Sequence, residues 1–481
     1  MTRNDNWKSE LGLETLKKVV SRCIPQWTDG LRDWQLDSVS TLLSRQHLFT
    51  IAATGEGKSA LYIIPILVHL EIARNPEEYP SFRFRPNPVV IVITPTKALA
   101  TSIIRELEQF NILGFSYCHQ NITEYRTKKI NLENLISECN TWNLICIDPE
   151  HLSSPEWRRI IEDEVFRSNL ILFSIDEIHL IRCLPENVPV AALTATSAVG
   201  EPTAALCRSL GLIADNYHLI RRSNERSNMH LVIETYKKTP GGSKYARILD
   251  YLRSGRKAVI HVNTIPEAYA IYTYLWDFIP SEFNRLRRMR MFHSLCPDKY
   301  NNETFNLIES DPYLQVIIAT AGFTQGVNRK KILDSISFGF PSTLDDFWQA
   351  KGRVGRDPAS LCRGIAIISP KLLKSAADVV KMHKDPTYTI KSKNSQSNNI
   401  KTFETLAIEK ALFLVEPTCR IANANIYYVL ADQSTVTCAP SDMSRHMIFL
   451  PPSSVHHYLG FQRLLPQQDY LRSENPQNTL A

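Results

Sequence analysis

Ten cysteines are scattered over 481 residues, and no two of them are spaced Cys-x-x-Cys. That absence removes the usual zinc-ribbon and dithiol signatures, and thiols this sparse suit a reducing compartment better than a disulfide framework. Glycine is scarce too, 17 against 27 prolines, which excludes collagen-like or Gly-rich flexible chains. A long apolar run is also missing. The most hydrophobic stretch, Leu61–Ile72, has 12 residues and includes Pro65, His69 and Glu71, whereas a membrane span needs about 20. It reads as a buried helix. The chain opens Met1-Thr2-Arg3-Asn4-Asp5-Asn6, with no apolar segment behind basic residues, so neither a secretory leader nor a membrane partner is expected. Charge of one sign does not dominate: 55 basic and 49 acidic residues give a formal +6, which permits a polyanionic partner without requiring one.

What is present is ordinary globular composition, 43% hydrophobic and 22% charged, at a length that suits roughly two to four domains. Two regions share one rhythm of short apolar strands alternating with helical stretches. The first has candidate strands at His47–Ala52, Val89–Thr94, Asn143–Ile147, Leu170–Ile175 and Val190–Leu193. The second has them at Ala258–Val262, Met289–Phe292, Gln315–Ala319, Ser335–Phe338 and Gly364–Ile368. Runs apolar on both faces and separated by helices predict two α/β layers, each around a mostly parallel sheet. The polar stretch Arg221–Asn228 reads as the linker between them, with domains at 1–222 and 223–370. Past about Lys371 the rhythm dissolves. Residues 385–402 read as an exposed loop, Thr402–Val415 as a helical piece, and the rest of 371–481 as a partly disordered extension.

Chemistry enters at Ala52-Ala53-Thr54-Gly55-Glu56-Gly57-Lys58-Ser59, between a strand and the apolar helix. Gly55 and Gly57 let backbone N–H groups face a phosphate, and the helix amino end adds positive dipole. Lys58 supplies a point charge and the Ser59 hydroxyl a ligand for Mg²⁺. Ala52 stands where such loops usually open with glycine. At the end of a later strand, Asp176-Glu177-Ile178-His179 offers a carboxylate for Mg²⁺ (Asp176) and a base to activate water (Glu177). Leu193-Thr194-Ala195-Thr196 places small hydroxyls at another strand end, where a simple cluster of helix caps is the competing reading. In the second region, Gln349-Ala350-Lys351-Gly352-Arg353-Val354-Gly355-Arg356-Asp357 carries two arginines able to neutralise a terminal phosphate. Near the start, Arg32 and Gln35 offer a guanidinium and an amide for a purine edge. Arg285–Arg290 is either a phosphate-contacting stripe or a solvated edge. Trp7, Trp27 and Trp34 read as core aromatics.

Taken in order, Arg32/Gln35, AATGEGKS, TPTKALA (Thr94–Ala100), DEIH, LTAT, ATAGFTQGVN (Ala319–Asn328) and QAKGRVGRD resemble the successive motifs of superfamily 2 helicases. The Leu-Arg-x-Trp-Gln start, the Asp-Glu-Ile-His box and the last motif look most like the RecQ family. The resemblance implies two tandem RecA-like P-loop NTPase lobes with ATP in the cleft, followed by a short irregular or helical extension. It implies ATP hydrolysis with Mg²⁺, driving 3′-to-5′ translocation on single-stranded DNA and unwinding of forked duplexes, as in DNA repair and recombination.

Carried over by position, Arg32, Gln35, Ala53, Thr54, Gly55, Glu56, Gly57, Lys58, Ser59 and Gly326 would contact the nucleotide, and Ser59 and Asp176 the Mg²⁺. Asp176 and Glu177 would drive hydrolysis; Gln349, Arg353 and Arg356 would close the site. Thr94, Pro95, Thr96, His293 and Thr320 would touch the nucleic-acid backbone, giving salt-sensitive, sequence-tolerant binding. The chain departs from the family in three places. Residues 180–192 lack the aromatic residues of the family's longer loop, Val327-Asn328-Arg329 replaces Ile-Asp-Lys, and Cys419 and Cys438 are too few for a four-cysteine site, so zinc is not expected. Two alternatives stay open: a degenerate relative that binds nucleic acid without unwinding, and an RNA-directed translocase. Localisation follows the source, nuclear in a eukaryote and cytoplasmic otherwise.

Overall fold

The computed structural model describes residues 6–428 except 54, 95, 177–187, 198, 214–215, 223–225, 227, 237–241, 280–283, 321–330, 356–358, 386–405 and 418. It divides into two compact units between Asn224 and Glu225.

The first unit holds β1 (His47–Ile51), β2 (Val89–Ile93), β3 (Gly114–Tyr117), β4 (Leu144–Ile147), β5 (Leu170–Asp176), β6 (Val190–Thr194) and β7 (Tyr217–Arg221). They form one seven-stranded sheet in the order β3-β4-β2-β5-β6-β1-β7. Every pairing is parallel. Parallel neighbours need crossover connections, and helices supply them on both faces. Side-chain alternation shows the two faces directly. Val90 and Val92 belong to a core with Leu16, Leu61 and Ile64, while Val89, Ile91 and Ile93 belong to another with Trp157, Ile160 and Phe166. Each such fully buried aliphatic or Phe side chain contributes about 1.5–3 kcal/mol. Trp7 and Trp34 lie in the first core, with Trp27 packed against it.

The apolar stretch of 12 residues lies in the helix Ala60–Arg74, buried along most of its length with Pro65 in its interior. Proline there removes one helical hydrogen bond, and burial on nearly every side offsets the loss.

The second unit holds β8 (Met229–Thr235), β9 (Ala258–Val262), β10 (Met289–Phe292), β11 (Val316–Ala319), β12 (Asp334–Phe338) and β13 (Cys362–Ile368). Their order is β10-β11-β9-β12-β13-β8, again all parallel. A buried ion pair ties β12 to β13: Arg363 Nη2 meets Asp334 Oδ2 at 2.6 Å, and Arg256 Nε reaches Oδ1 at 3.1 Å.

Three findings differ from the sequence reading. The rhythm does not stop at Lys371, because Ser369 caps a 15-residue helix, Pro370–Lys384, which packs on a helix at Ile408–Val415. Phe413 of that second helix sits 5.5 Å from Phe347 and 5.9 Å from Trp348, so this part of the extension belongs to the unit's core. Arg221 is not linker but the buried end of β7, donating to Thr203 Oγ1 at 2.6 Å. The arginine stripe is largely committed within the fold. Arg287 pairs with Asp311 at 2.7 Å and lies over Tyr313, while Arg290 pairs with Glu303 at 3.0 Å and lies over Tyr300. The loop expected over 385–402 lies outside the described residues from 386 onward.

Candidate functional site

Several of the sequence-predicted residues that are described follow the ends of parallel strands: Lys58 and Ser59 after β1, Thr94 after β2, His293 after β10 and Thr320 after β11. β1 runs into the phosphate-type loop, whose first N–H, on Ala52, donates to Thr194 O at the end of β6 (3.1 Å). Gly55 and Gly57 have φ of +93° and +83°, a region that side chains disfavour. A Cβ on Gly57 would stand 2.7 Å from Gln35 Nε2, so a side chain there would push the Gln35 amide aside. The loop's donors and the amino end of the Ala60–Arg74 helix fit a phosphate chain. Thr54 lies outside the described residues.

The loop is held by side chains from three directions. Lys58 Nζ donates to Ala52 O (2.7 Å) and Ala53 O (3.2 Å), the carbonyls of its own loop. Gln35 Nε2 donates to Gly57 O at 3.0 Å, and its amide oxygen accepts from Arg32 N–H, also at 3.0 Å. Arg32 Nη1 meets Glu56 Oε2 at 2.9 Å and Glu56 O at 3.1 Å. Arg222 joins from the end of β7, 3.5 Å from the same carboxylate and over the Trp34 ring. The two residues read as purine contacts thus brace the loop.

Ser59 carries a contact that no local pattern announces. Its hydroxyl donates to Glu106 Oε1 at 2.7 Å, 47 residues away on the helix Lys97–Glu108, instead of capping its own helix. A carboxylate bonded to the expected metal ligand adds negative charge where a divalent cation would bind.

Asp176 ends β5, in register with Leu193 on β6, so its backbone lies beside the loop's anchor on Thr194; Glu177 and His179 lie outside the described residues. Thr194 does not cap a helix: its hydroxyl donates to Thr196 O at 2.9 Å and closes a buried local turn. Past β2, Thr94 is fully buried and its hydroxyl has no partner among the described residues, a placement that costs free energy unless a further group completes it. Thr96 caps the Lys97–Glu108 helix by accepting from Leu99 N–H. Pro95 is outside the described residues.

In the second unit, Gln349 is half-buried on the helix Leu344–Lys351, and Arg353 follows in the next turn, 6% exposed. Arg356 and Gly326 are outside the described residues. The Arg353 segment is lashed from below. Lys351 is fully buried and donates to Ile365 O (2.8 Å), Ser337 Oγ (2.9 Å) and Ser335 O (3.0 Å). Burial drives its pKa well below the ordinary lysine value. Gly364 leaves room for its stem, since a Cβ there would lie 3.2 Å from Lys351 Cδ. Asn228 Nδ2 donates to Gly355 O at 2.7 Å, Arg226 Nη1 donates to Val354 O at 2.6 Å, and Arg226 Nη2 also reaches Gly355 O. Sequence reasoning placed Arg226 and Asn228 in a linker and assigned Lys351 no role. Beneath the segment, burial with the Lys351 and Arg353 charges pushes His261 down to about 3.

Thr320 follows β11 and donates its N–H to Phe292 O at 3.2 Å. His293 is 2% exposed, pushed down by burial and packed against Tyr269 and Cys296. One cluster that sequence reasoning passed over follows β4: Asp148, Glu150 and His151 share a turn, and burial raises the Asp148 carboxyl.

Comparison with known proteins adds the family. Residues 32–199 match the DEAD/DEAH box helicase family and residues 243–358 the helicase conserved C-terminal domain, together more than half of the chain. The chain is 26% identical to the ATP-dependent DNA helicase RecQ of Bacillus subtilis over 349 residues, which are 68% of this chain and 52% of that one. It is 22% identical over 336 residues to the probable ATP-dependent RNA helicase DDX4 of Homo sapiens, 66% of this chain and 44% of that one. It thus spans about half the length of these relatives. The crystal structure of the DUF1998 helicase MrfA bound to DNA and AMPPNP shares the fold at a TM-score of 0.59 and 17% identity, over 84% of this chain and 56% of that one. With one matched domain on each RecA-like parallel-sheet lobe, the chain belongs to the superfamily 2 helicases.

Proposed function

We propose that the chain is an ATP-dependent 3′-to-5′ DNA helicase of RecQ type, which hydrolyses ATP to move along single-stranded DNA and open forked duplexes. The observation that carries this reading is the Lys58–Ser59 loop at the end of β1, with Thr94 just past β2 and strands ending at Asp176 and Thr194 nearby. Those are the positions from which a P-loop enzyme cradles phosphates, holds its metal and orients water. Mg²⁺ bound with the nucleotide would neutralise charge on the phosphates, with Ser59 and Asp176 to hold it. Lys58 would exchange its two loop carbonyls for phosphate oxygens, and Ser59 would release Glu106. Arg353 and Arg356 would supply the guanidinium charge that stabilises the departing phosphoryl group. Thr94, whose hydroxyl has no partner among the described residues, suits a contact to the sugar-phosphate backbone.

An RNA-directed activity is the second reading, favoured by the likeness to DDX4. Strand displacement on matched duplexes separates the two. The DNA reading expects a 3′-tailed DNA fork to be opened with ATP and a 5′-tailed one to be left intact. Opening of the RNA counterpart alone would replace it, and binding without opening of either would reduce the chain to a nucleic-acid-binding relative.

A further inference from the structure

The first lobe contains a cavity of about 340 Å³ that the nucleotide site does not use. Its walls come from residues at the amino ends of strands: Arg45 precedes β1, Arg83 and Arg85 precede β2, and Leu172 lies near the start of β5. All these strands are parallel, so Ser59, Thr94 and Asp176 lie at the opposite end of the sheet. At about 3.3 Å per residue the two ends are roughly 15 Å apart. Ligands of open α/β sheets ordinarily bind at the carboxyl ends, so this cavity is a separate place.

Its chemistry is one-sided. Among the described residues, three arginines line it and no carboxylate does. His69 also lines it, and its Nδ1 accepts the Arg85 backbone N–H at 2.9 Å. A neutral imidazole that accepts through Nδ1 carries its hydrogen on Nε2 and is a donor there. Burial, with the Arg85 and Arg45 charges, pushes the His69 pKa down to about 3, so the ring stays neutral at physiological pH. The polar side chains of the wall are thus donors, while Trp7 and Leu172 give an apolar floor. Arg45, an exposed residue with a φ of +60°, lines the cavity as well.

We propose that this cavity binds a small anion, a phosphate or carboxylate head carried on a compact apolar body. Fork-like guanidinium donors suit either head. The volume lies at the small end of ligand pockets, which run from about 300 to 1,000 Å³. No residue of the phosphate loop lines the cavity, so the proposal stands apart from the helicase reading.

Isothermal titration of the full chain tests it, with phenyl phosphate and benzoate as anionic probes and benzyl alcohol as the neutral one. Saturable binding of either anion, with none of the alcohol, is expected; the two anions decide between a phosphate and a carboxylate head. Arg45 and Arg83 are exposed, so Arg45→Glu and Arg83→Glu should fold normally and weaken binding by about tenfold or more. Lys58→Ala should leave it unchanged. No binding of either anion overturns the proposal, as does equal binding of the alcohol. Binding that survives both charge reversals but disappears in Lys58→Ala would place the probe in the nucleotide site and also overturn it.

Discussion

In the first lobe Lys58 rests on carbonyls of its own loop, and the brace Arg32 has a half-exposed side chain, whereas in the second lobe Arg353 sits above a fully buried Lys351 and a buried Asn228. Exposed ion pairs such as Arg32–Glu56 contribute about 0–1 kcal/mol, so the loop is held by contacts that are cheap to exchange. Buried donors spread over several carbonyls are costly to disturb, because each leaves an unsatisfied partner worth about 1–3 kcal/mol. The contrast suits the two tasks. Under the proposed function, a loop that accepts a nucleotide would have to change partners, while a guanidinium that meets developing charge would gain from being placed in advance.

Substitution can break that contrast. The largest effect is expected from Gly355→Ala, where φ is +57° and the new Cβ would collide with the Cys362 side chain. Urea unfolding should show a loss of about 3 kcal/mol or more. Lys351→Met follows, keeping the stem but stripping three close acceptors of their donor, with about 2–3 kcal/mol lost. It should also lower kcat more than it raises KM for ATP, a split that packing loss alone does not produce.

Acid should sharpen the comparison next, since His69 in the first lobe and His261 in the second are each pushed down to about 3, and burial lowers His293 of the second lobe as well. Unfolded imidazole takes its proton near pH 6.5, so protons favour the unfolded chain between those values. Stability is therefore complete above pH 6.5 and falls on acidification, by up to about 1.4 kcal/mol per pH unit for each histidine. His261→Gln should flatten that fall for the second lobe alone, followed by urea titrations at stepped pH. Smallest is Arg32→Ala, expected to change stability by less than about 1 kcal/mol; a larger loss would show that the loop is as rigidly held as the arginine segment.

Much of this was legible before the structure, and the omissions share a cause. Strands in the middle of each sheet, such as Val89–Ile93 and Ala258–Val262, are buried on both faces and read as continuous apolar runs. The strands missed, β3, β7 and β8, all lie at sheet edges, where side chains are only partly covered and polar residues such as Ser116, His218 and Glu234 interrupt the run. In the site, Gly55, Gly57 and Lys58 announce themselves because their spacing is local. Glu106, Arg226 and Asn228 do not, since their partners lie 47, 128 and 127 residues away and their own surroundings look like ordinary polar surface. The helix Pro370–Lys384 did carry a local signal, the cap Ser369 followed by Pro370 at the first turn.

The most direct test of the account is ATP hydrolysis with and without single-stranded DNA, measured for the unaltered chain and for Lys58→Ala. The account predicts that DNA accelerates hydrolysis in the first and that the second hydrolyses nothing above background. Hydrolysis that ignores DNA, or that persists at full rate without the Lys58 ammonium, would contradict it.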